Sequence, residues 1–292
     1  MTQVATLSPK GDFRFLHRLR VRWAEVDMQK IVFNAHYQSY FDAALTDYWR
    51  SLALPYEEAM KALGGEPYMK KASIEYHRSA RCDDLLDVAL KCERIGNSSM
   101  LFKGAIYRGH DLLVNAELTY VFADAVSQRP RSVPKALRLV LEGFESGQQV
   151  LSIKTGSWTA LEEDAMDVRI EVFVDEQGIP LENEQDEHDF SALHAVAFNG
   201  LGQPVATGRL LQGEAGQGKI GRMAVKRELR GAGQGAAVLN ALRLLASQRG
   251  DRELMLNAQC SAQPFYERQG FTPRGQVFSE EGLPHIEMFA AV

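Results

Sequence analysis

Residues 37–52 read YQSYFDAALTDYWRSL, with Tyr37, Tyr40, Phe41, Ala44, Leu45, Tyr48, Trp49 and Leu52 at the spacing i, i+3, i+4, i+7, i+8, i+11, i+12, i+15. That spacing predicts one long helix with a broad apolar face. Asn34 or His36 stands near its start, and Pro55 follows its end. A face this aromatic needs a cover, and the flanking segments supply one. Residues 14–23 and 71–79 read as strands. Leu86, Val88, Leu90 and Cys92 alternate with more polar neighbours, as do Met100, Phe102, Gly104 and Ile106, and then Leu112, Val114, Ala116, Leu118 and Tyr120. Gly96-Asn97-Ser98 and Arg108-Gly109-His110-Asp111 between them are turn chemistry. Long strands joined by short turns predict an antiparallel sheet wrapped on the helix.

The whole chain has 292 residues, 45% hydrophobic and 24% charged, which is globular composition of about two domains' length. The strand pattern fades after Phe122, and two glycines follow between 142 and 149. The expected division is a first domain over 1–142, a linker over 143–152 and a second domain over 153–292. The second domain opens on a helix from Trp158 to about Val174, with strands at 192–199, 204–212 and 218–225. A glycine loop, a helix over 236–248, a short strand at 254–256, a short helix at 262–268 and a strand at 286–289 follow. Both halves are therefore expected to be α+β.

Residues 1–146 hold 20 Lys/Arg and 18 Asp/Glu, and residues 147–292 hold 13 and 20. Neither half carries the strong positive charge of a nucleic-acid binder. No stretch approaches the ~20 apolar residues of a membrane helix, and no secretory signal is read at the N-terminus. Cys82, Cys92 and Cys260 are odd in number and fit neither a metal site nor a disulfide framework, so a cytoplasmic location with reduced thiols is expected. His188 lies among acids with no second histidine at ligand spacing, and no metal site is expected.

Arg230-Gly231-Ala232-Gly233-Gln234-Gly235 lies between a predicted strand and a predicted helix. Glycines let backbone amides approach a ligand, and a helix N-terminus favours anions, so the loop reads as a phosphate cradle or as a tight turn. It is neither a Walker loop nor a dinucleotide fingerprint. Arg230-x-x-Gly233-x-Gly235, with Ile220-Gly221-Arg222-Met223-Ala224-Val225 before it and Ala262-Gln263-Pro264-Phe265-Tyr266 after it, resembles the acyl-CoA motif of GNAT-family N-acetyltransferases. Residues 171–178 and the region of His285 resemble the ElaA-like branch. The resemblance covers about 153–292. It implies that Met223, Ala224 and Val225 contact the pantetheine arm. It also implies that Arg230, Gly231, Ala232, Gly233, Gln234 and Gly235 hold the pyrophosphate, and that Tyr266 protonates the departing thiolate. A phenol is protonated at neutral pH and suits that role. Residues 162–189 carry twelve acids and one base, Arg169. Glu176, Glu184, Asp186, Glu187 and Asp189 are the candidates for attracting a cationic amine acceptor and supplying a base, with Glu176, Glu184 and Asp186 the candidate acceptor site.

Asp27 stands between a predicted strand and the aromatic helix. It reads as a cap or turn residue, or as a base or nucleophile beside helix amides that hold an oxyanion. Asp27-x-x-x-Ile31-Val32-Phe33-Asn34-x-x-Tyr37-x-x-Tyr40-Phe41 resembles the hotdog-fold acyl-CoA thioesterases of the 4-hydroxybenzoyl-CoA type, including the YbgC and FadM branches. The resemblance covers about 12–135. It implies that Asp27 is the catalytic carboxylate and that the helix start, at Asn34, Ala35, His36 and Tyr37, polarises the thioester carbonyl. Many members have glycine where Lys30 stands. The family places active sites between subunits, so a homo-oligomer, dimer or tetramer, is expected.

Together these resemblances imply a bifunctional enzyme of CoA thioesters: acyl-CoA hydrolysis in the first domain and acetyl transfer from acetyl-CoA to an amine in the second. No permanently bound cofactor is expected; acyl-CoA and acetyl-CoA are substrates. The alternative is an N-acetyltransferase whose first domain only binds acyl-CoA or dimerises.

Overall fold

The computed structural model describes residues 9–214 and 216–292. The chain divides into two compact units, the first ending at Val150 and the second beginning at Leu151.

The first unit contains β1 (Phe15–Arg20), α1 (Asn34–Ser51), α2 (Tyr56–Leu63), β2 (Glu66–Tyr76), β3 (Leu85–Ile95), β4 (Ser99–Arg108), β5 (Asp111–Ala123) and α3 (Lys135–Glu145). Its sheet runs β1-β3-β4-β5-β2, every pair antiparallel. The spacing of the opening stretch is realised: Tyr37, Tyr40, Phe41, Ala44, Leu45, Tyr48 and Trp49 are the buried face of α1. Gly104 on β4 explains how closely α1 approaches, because a Cβ there would come within 2.5 Å of the Phe41 ring. Two helices were not expected. α2 ends at Gly64, whose φ of 70° closes the helix in the left-handed region. α3 carries Leu137, Leu141 and Phe144 into the core, and Arg14 donates to the carbonyls of Phe144 and Gln148. Residues 143–145, assigned to the linker from sequence, thus fold with the first unit. Three side chains packing on one helix face outweigh two glycines.

The second unit contains β6 (Ser152–Ser157), α4 (Trp158–Arg169), α5 (Leu181–Glu184), β7 (Leu193–Phe198), β8 (Pro204–Gln212), β9 (Gln217–Val225), α6 (Gln234–Arg249), β10 (Glu253–Gln259), α7 (Gln263–Arg268), β11 (Thr272–Glu280) and β12 (Leu283–Ala291). The order is β11-β12-β10-β9-β8-β7-β6. Among the described residues only β9 and β10 pair in parallel. Ala195, Ala197, Leu210, Leu239, Leu242, Leu256 and Met288 form the core on one sheet face with α6. Trp158, Leu161 and Ala165 of α4 pack with Val196 and Phe198, the alternate positions of β7, on the opposite face. The helix expected to reach Val174 is α-helical only to Arg169 and continues as a π-helix over Ile170–Glu176. β6 and β11 were not read as strands; β11 is exposed along most of its length, so it lacks the apolar alternation that marks a half-buried strand. Among the described residues, no helix is long and apolar enough to cross a membrane.

Candidate functional site

In the first unit the site begins with a hairpin-like turn. Val26 bridges to Val32, the Asp27 amide donates to Ile31 O at 2.9 Å, and the Lys30 amide donates to Asp27 O at 2.9 Å. Lys30 has φ 61°, the left-handed region that favours glycine. Asp27 Oδ1 accepts the Gln29 amide at 2.8 Å, which fixes the rotation of the carboxylate. Asp27 is therefore both a turn residue and a half-buried carboxylate in the turn that leads to α1. The helix starts at Asn34 after Phe33, which provides no side-chain cap, so no capping side chain competes for its first amides. Asn34 and Ala35 are exposed and His36 is half-buried. Tyr37 does not join them: it is buried and its hydroxyl accepts the Ala80 amide at 3.0 Å, which ties the helix start to the sheet side.

Sequence reading missed Glu25. It is 4% exposed and accepts from the Arg22 amide at 2.7 Å, Arg22 Nε at 2.8 Å and the Tyr40 hydroxyl at 2.9 Å. Burial opposes its charge, but the Arg22 and Tyr40 hydrogen bonds outweigh burial and hold the carboxyl below its ordinary range. Its carbonyl accepts the Phe33 amide at 3.0 Å, so it pins both ends of the Asp27 turn. The signal was present: an acid and a tyrosine, Glu25 and Tyr40, whose partnership only the fold reveals.

In the second unit the site is a parting of strands. β9 and β10 pair only from Gln217 and Glu253 to Ile220 and Leu256. Beyond that point β9 stays with β8 and β10 with β12. Arg222, at φ 49°, sits where the β8–β9 register shifts, opposite Gly208. Met223, Ala224 and Val225 thus form the part of β9 that has left β10. The loop that follows turns through Gly231 and Gly233, with φ 87° and 96°, into α6. A Cβ at either glycine would meet nothing, so the requirement is conformational. Gly235 is different: its Cβ would lie 3.3 Å from Val225 and 3.4 Å from Phe265, so the loop, the end of β9 and α7 converge there. Tyr266 follows Phe265, 8% exposed, with its ring edge-on to Phe265 and Phe271, and burial pushes its phenol upward. Ala232 is exposed, and Gln234 is buried with Oε1 unpartnered among the described residues.

The expected acids are distributed otherwise than the sequence implied. Arg169 is buried and donates to Glu184 at 2.5 Å and to Asp189 at 3.0 Å. Arg209 bridges Asp189 and Asp186, each at 2.7 Å, and Arg222 reaches Asp186 at 3.1 Å. Glu184 and Asp189 have no exposed surface, so neither is open to an amine. Burial pushes Glu184 upward despite Arg169, whereas for Asp186 the two arginines outweigh burial and bring its carboxyl down to about 2. Glu187 is exposed. Glu176 pairs with Arg230 through both oxygens, at 2.7 and 2.6 Å, while Arg230 Nε donates to Val225 O. The carboxylate expected on the amine side thus holds the arginine expected on the pyrophosphate side. Lys226 points away from the loop toward Asp167 and Glu171 of the α4 segment. Among the described residues no cluster of His, Cys, Asp and Glu could hold a metal ion.

Residues 21–141 match the thioesterase-like superfamily, and residues 161–291 match the acetyltransferase (GNAT) domain. The uncharacterized N-acetyltransferase YjcF of Bacillus subtilis is 39% identical over 126 residues, covering 43% of this chain and 89% of that protein. The acyl-CoA thioester hydrolase YbgC of Escherichia coli is 27% identical over 120 residues, covering 41% of this chain and 89% of that protein. Among solved structures, an acyl-CoA N-acyltransferase from Pseudomonas aeruginosa is 32% identical, covering 48% of this chain and 99% of its own, with a TM-score of 0.44.

Proposed function

Since this chain belongs to the GNAT acetyltransferases through its C-terminal half and its residues 21–141 match the thioesterase-like superfamily, we propose that it is an enzyme with two CoA-thioester sites. The observation that carries the transferase reading is the parting of β9 from β10 beside a glycine loop that opens α6. A pantetheine arm pairs with the freed edge of Met223, Ala224 and Val225. The amides from Gly231 to Gly235 and the positive end of α6 receive the pyrophosphate. Arg230, held by Glu176 and by Val225 O, adds positive charge beside them. Tyr266, kept protonated by burial, donates to the departing thiolate.

The hydrolytic reading rests on Asp27 in the turn that leads to an uncapped helix. The carboxylate activates water or attacks the thioester carbonyl, and the amides at Asn34 and Ala35 receive the negative charge that develops on oxygen, the His36 amide being bonded to Phe33 O. Glu25 and Arg22 hold the turn that carries Asp27 and touch no substrate. Both sites are read as working in the cytoplasm, the first in a homo-oligomer.

The test follows free thiol release from a panel of acyl-CoAs with no amine present. Release that is lost in Asp27→Ala and kept in Tyr266→Phe supports hydrolysis in the first domain. No release above background from any acyl-CoA refutes it and leaves that domain as a binding or dimerising module.

A further inference from the structure

An ammonium cannot attack a thioester until it loses a proton, and of the acids expected to take that proton all but the exposed Glu187 are engaged. Glu184 and Asp189 are buried against arginines, Asp186 is held by Arg209 and Arg222, and Glu176 is held by Arg230. Another group stands on the acceptor side of the sheet. Leu254, Leu256 and Ala258 of β10 and Met288 and Ala290 of β12 face the core under α6. Their alternates, Asn257 and Gln259, therefore face the side on which α4 packs. His285 is directly opposite Gln259 in the β10–β12 register, and opposed residues of an antiparallel pair project to one face. Gln177, just past the π-helix that extends α4, accepts from Gln259 Nε2 at 2.9 Å. His285 of β12 thus lies beneath the end of that helix, opposite the stretch of β10 that has already parted from β9.

The ring itself is prepared. It is 9% exposed, and Phe278 of β11 stacks on it with centroids 6.1 Å apart and planes 28° apart. Nδ1 lies 2.9 Å from Leu283 O. A carbonyl only accepts, so Nδ1 carries the proton and the lone pair of the neutral ring is on Nε2. Among the described residues this is the ring's one hydrogen bond, so Nε2 keeps its lone pair for a ligand.

We infer that His285 Nε2 is the base that deprotonates the incoming amine, a primary aliphatic ammonium; this rests on the transferase reading of the second domain. Nε2 takes one proton from R–NH3+, and the freed lone pair forms the N–C bond at the acetyl carbonyl as the C=O π pair moves to oxygen. Collapse breaks the C–S bond, whose electron pair goes to sulfur, and the thiolate takes the Tyr266 proton. The second nitrogen proton passes through solvent to the phenolate and restores the phenol, and the imidazolium releases its own to solvent. The products are amide, CoA thiol and one proton.

The experiment compares two probe amines with acetyl-CoA at neutral pH: n-butylamine, which is protonated there, and O-methylhydroxylamine, which is neutral. His285→Gln is expected to lose roughly 100-fold in kcat/KM on n-butylamine, the scale of general-base catalysis, and under tenfold on O-methylhydroxylamine. Added imidazole is expected to restore n-butylamine transfer in His285→Ala, and acetyl-CoA affinity by calorimetry is expected to match wild type in both variants. Equal losses on both probes, no loss on either, or no imidazole rescue overturns the base and leaves the transferase reading standing. A wild-type protein that acetylates neither probe overturns the transferase reading and the base with it.

Discussion

Replacing Arg169 with methionine isolates what the buried ion network contributes. Arg169 is 1% exposed and lies over the Trp158 ring at 5.1 Å, so methionine of similar length preserves much of the packing. What is lost is the partner of two carboxylates with no exposed surface. Asp189 keeps Arg209 at 2.7 Å. Among the described residues Glu184 keeps only Arg222, at 3.8 Å. Burial already pushes Glu184 upward with Arg169 present, so without it Glu184 takes up a proton on folding. That uptake bounds the penalty. At pH 7.5, three units above the ordinary value of 4.5, it costs about 4 kcal/mol, within the ~3–5 kcal/mol known for breaking buried pairs. At pH 5.5, one unit above, it costs about 1.4 kcal/mol. Native-state hydrogen exchange at β8 and α6 amides reads the opening free energy of the second unit at both pH values. The penalty is expected to shrink at the lower pH, and Arg169→Met/Glu184→Met is expected to recover most of it. A loss that is the same at both pH values, or a double variant weaker than the single one, would refute the assignment of the penalty to Glu184.

Four further outcomes are expected. Tyr266→Phe lowers the kcat of acetyl transfer by roughly 100-fold with acetyl-CoA affinity unchanged, since burial makes the phenol a proton donor and the ring still packs; stopped-flow thiol release checks it. Gly104→Ala destabilises the first unit by about 1–3 kcal/mol, because the new methyl meets the Phe41 ring at 2.5 Å; a urea midpoint unchanged from wild type contradicts that packing. Lys30→Gly raises the stability of the first unit by up to about 1 kcal/mol, relief of a left-handed backbone less the added freedom of the unfolded chain, and calorimetry reads it. Asp186 is lower in the folded state than its ordinary 3.8, so its contribution to stability is complete above that value and is lost as pH falls toward about 2, which acid titration of the second-unit exchange rates follows.

Much of both sites was legible because short-range rules govern them. The period of the residues from Tyr37 to Leu52 dictates α1, since 3.6 residues per turn puts those side chains on one face whatever covers them. The alternation along β3, β4 and β5 and the turns between them dictate the antiparallel core of the first sheet. Gly231 and Gly233 name a loop with left-handed backbone before a helix, because glycine adopts that conformation at little cost. The weakly patterned elements were not legible. β6 and β11 are held by neighbours rather than by their own apolar alternation, and α3 is defined by Leu137, Leu141 and Phe144 meeting a core that the local sequence does not contain.

The sequence by itself determined which residue types stand at each site: an aspartate before an aromatic helix, a glycine loop before another helix, and a tyrosine after the strand that follows. The tertiary structure decided which of the acids are free. A run of carboxylates reads the same whether it faces solvent or an arginine, and only the fold brings Arg169, Arg209 and Arg222 against Glu184, Asp186 and Asp189 across separations of 15 to 38 residues. The same holds for His285 and Gln259, which register across two strands joins although 26 residues separate them. Charge and proton affinity depend on burial and on partners within a few ångströms, and those are set by long-range packing.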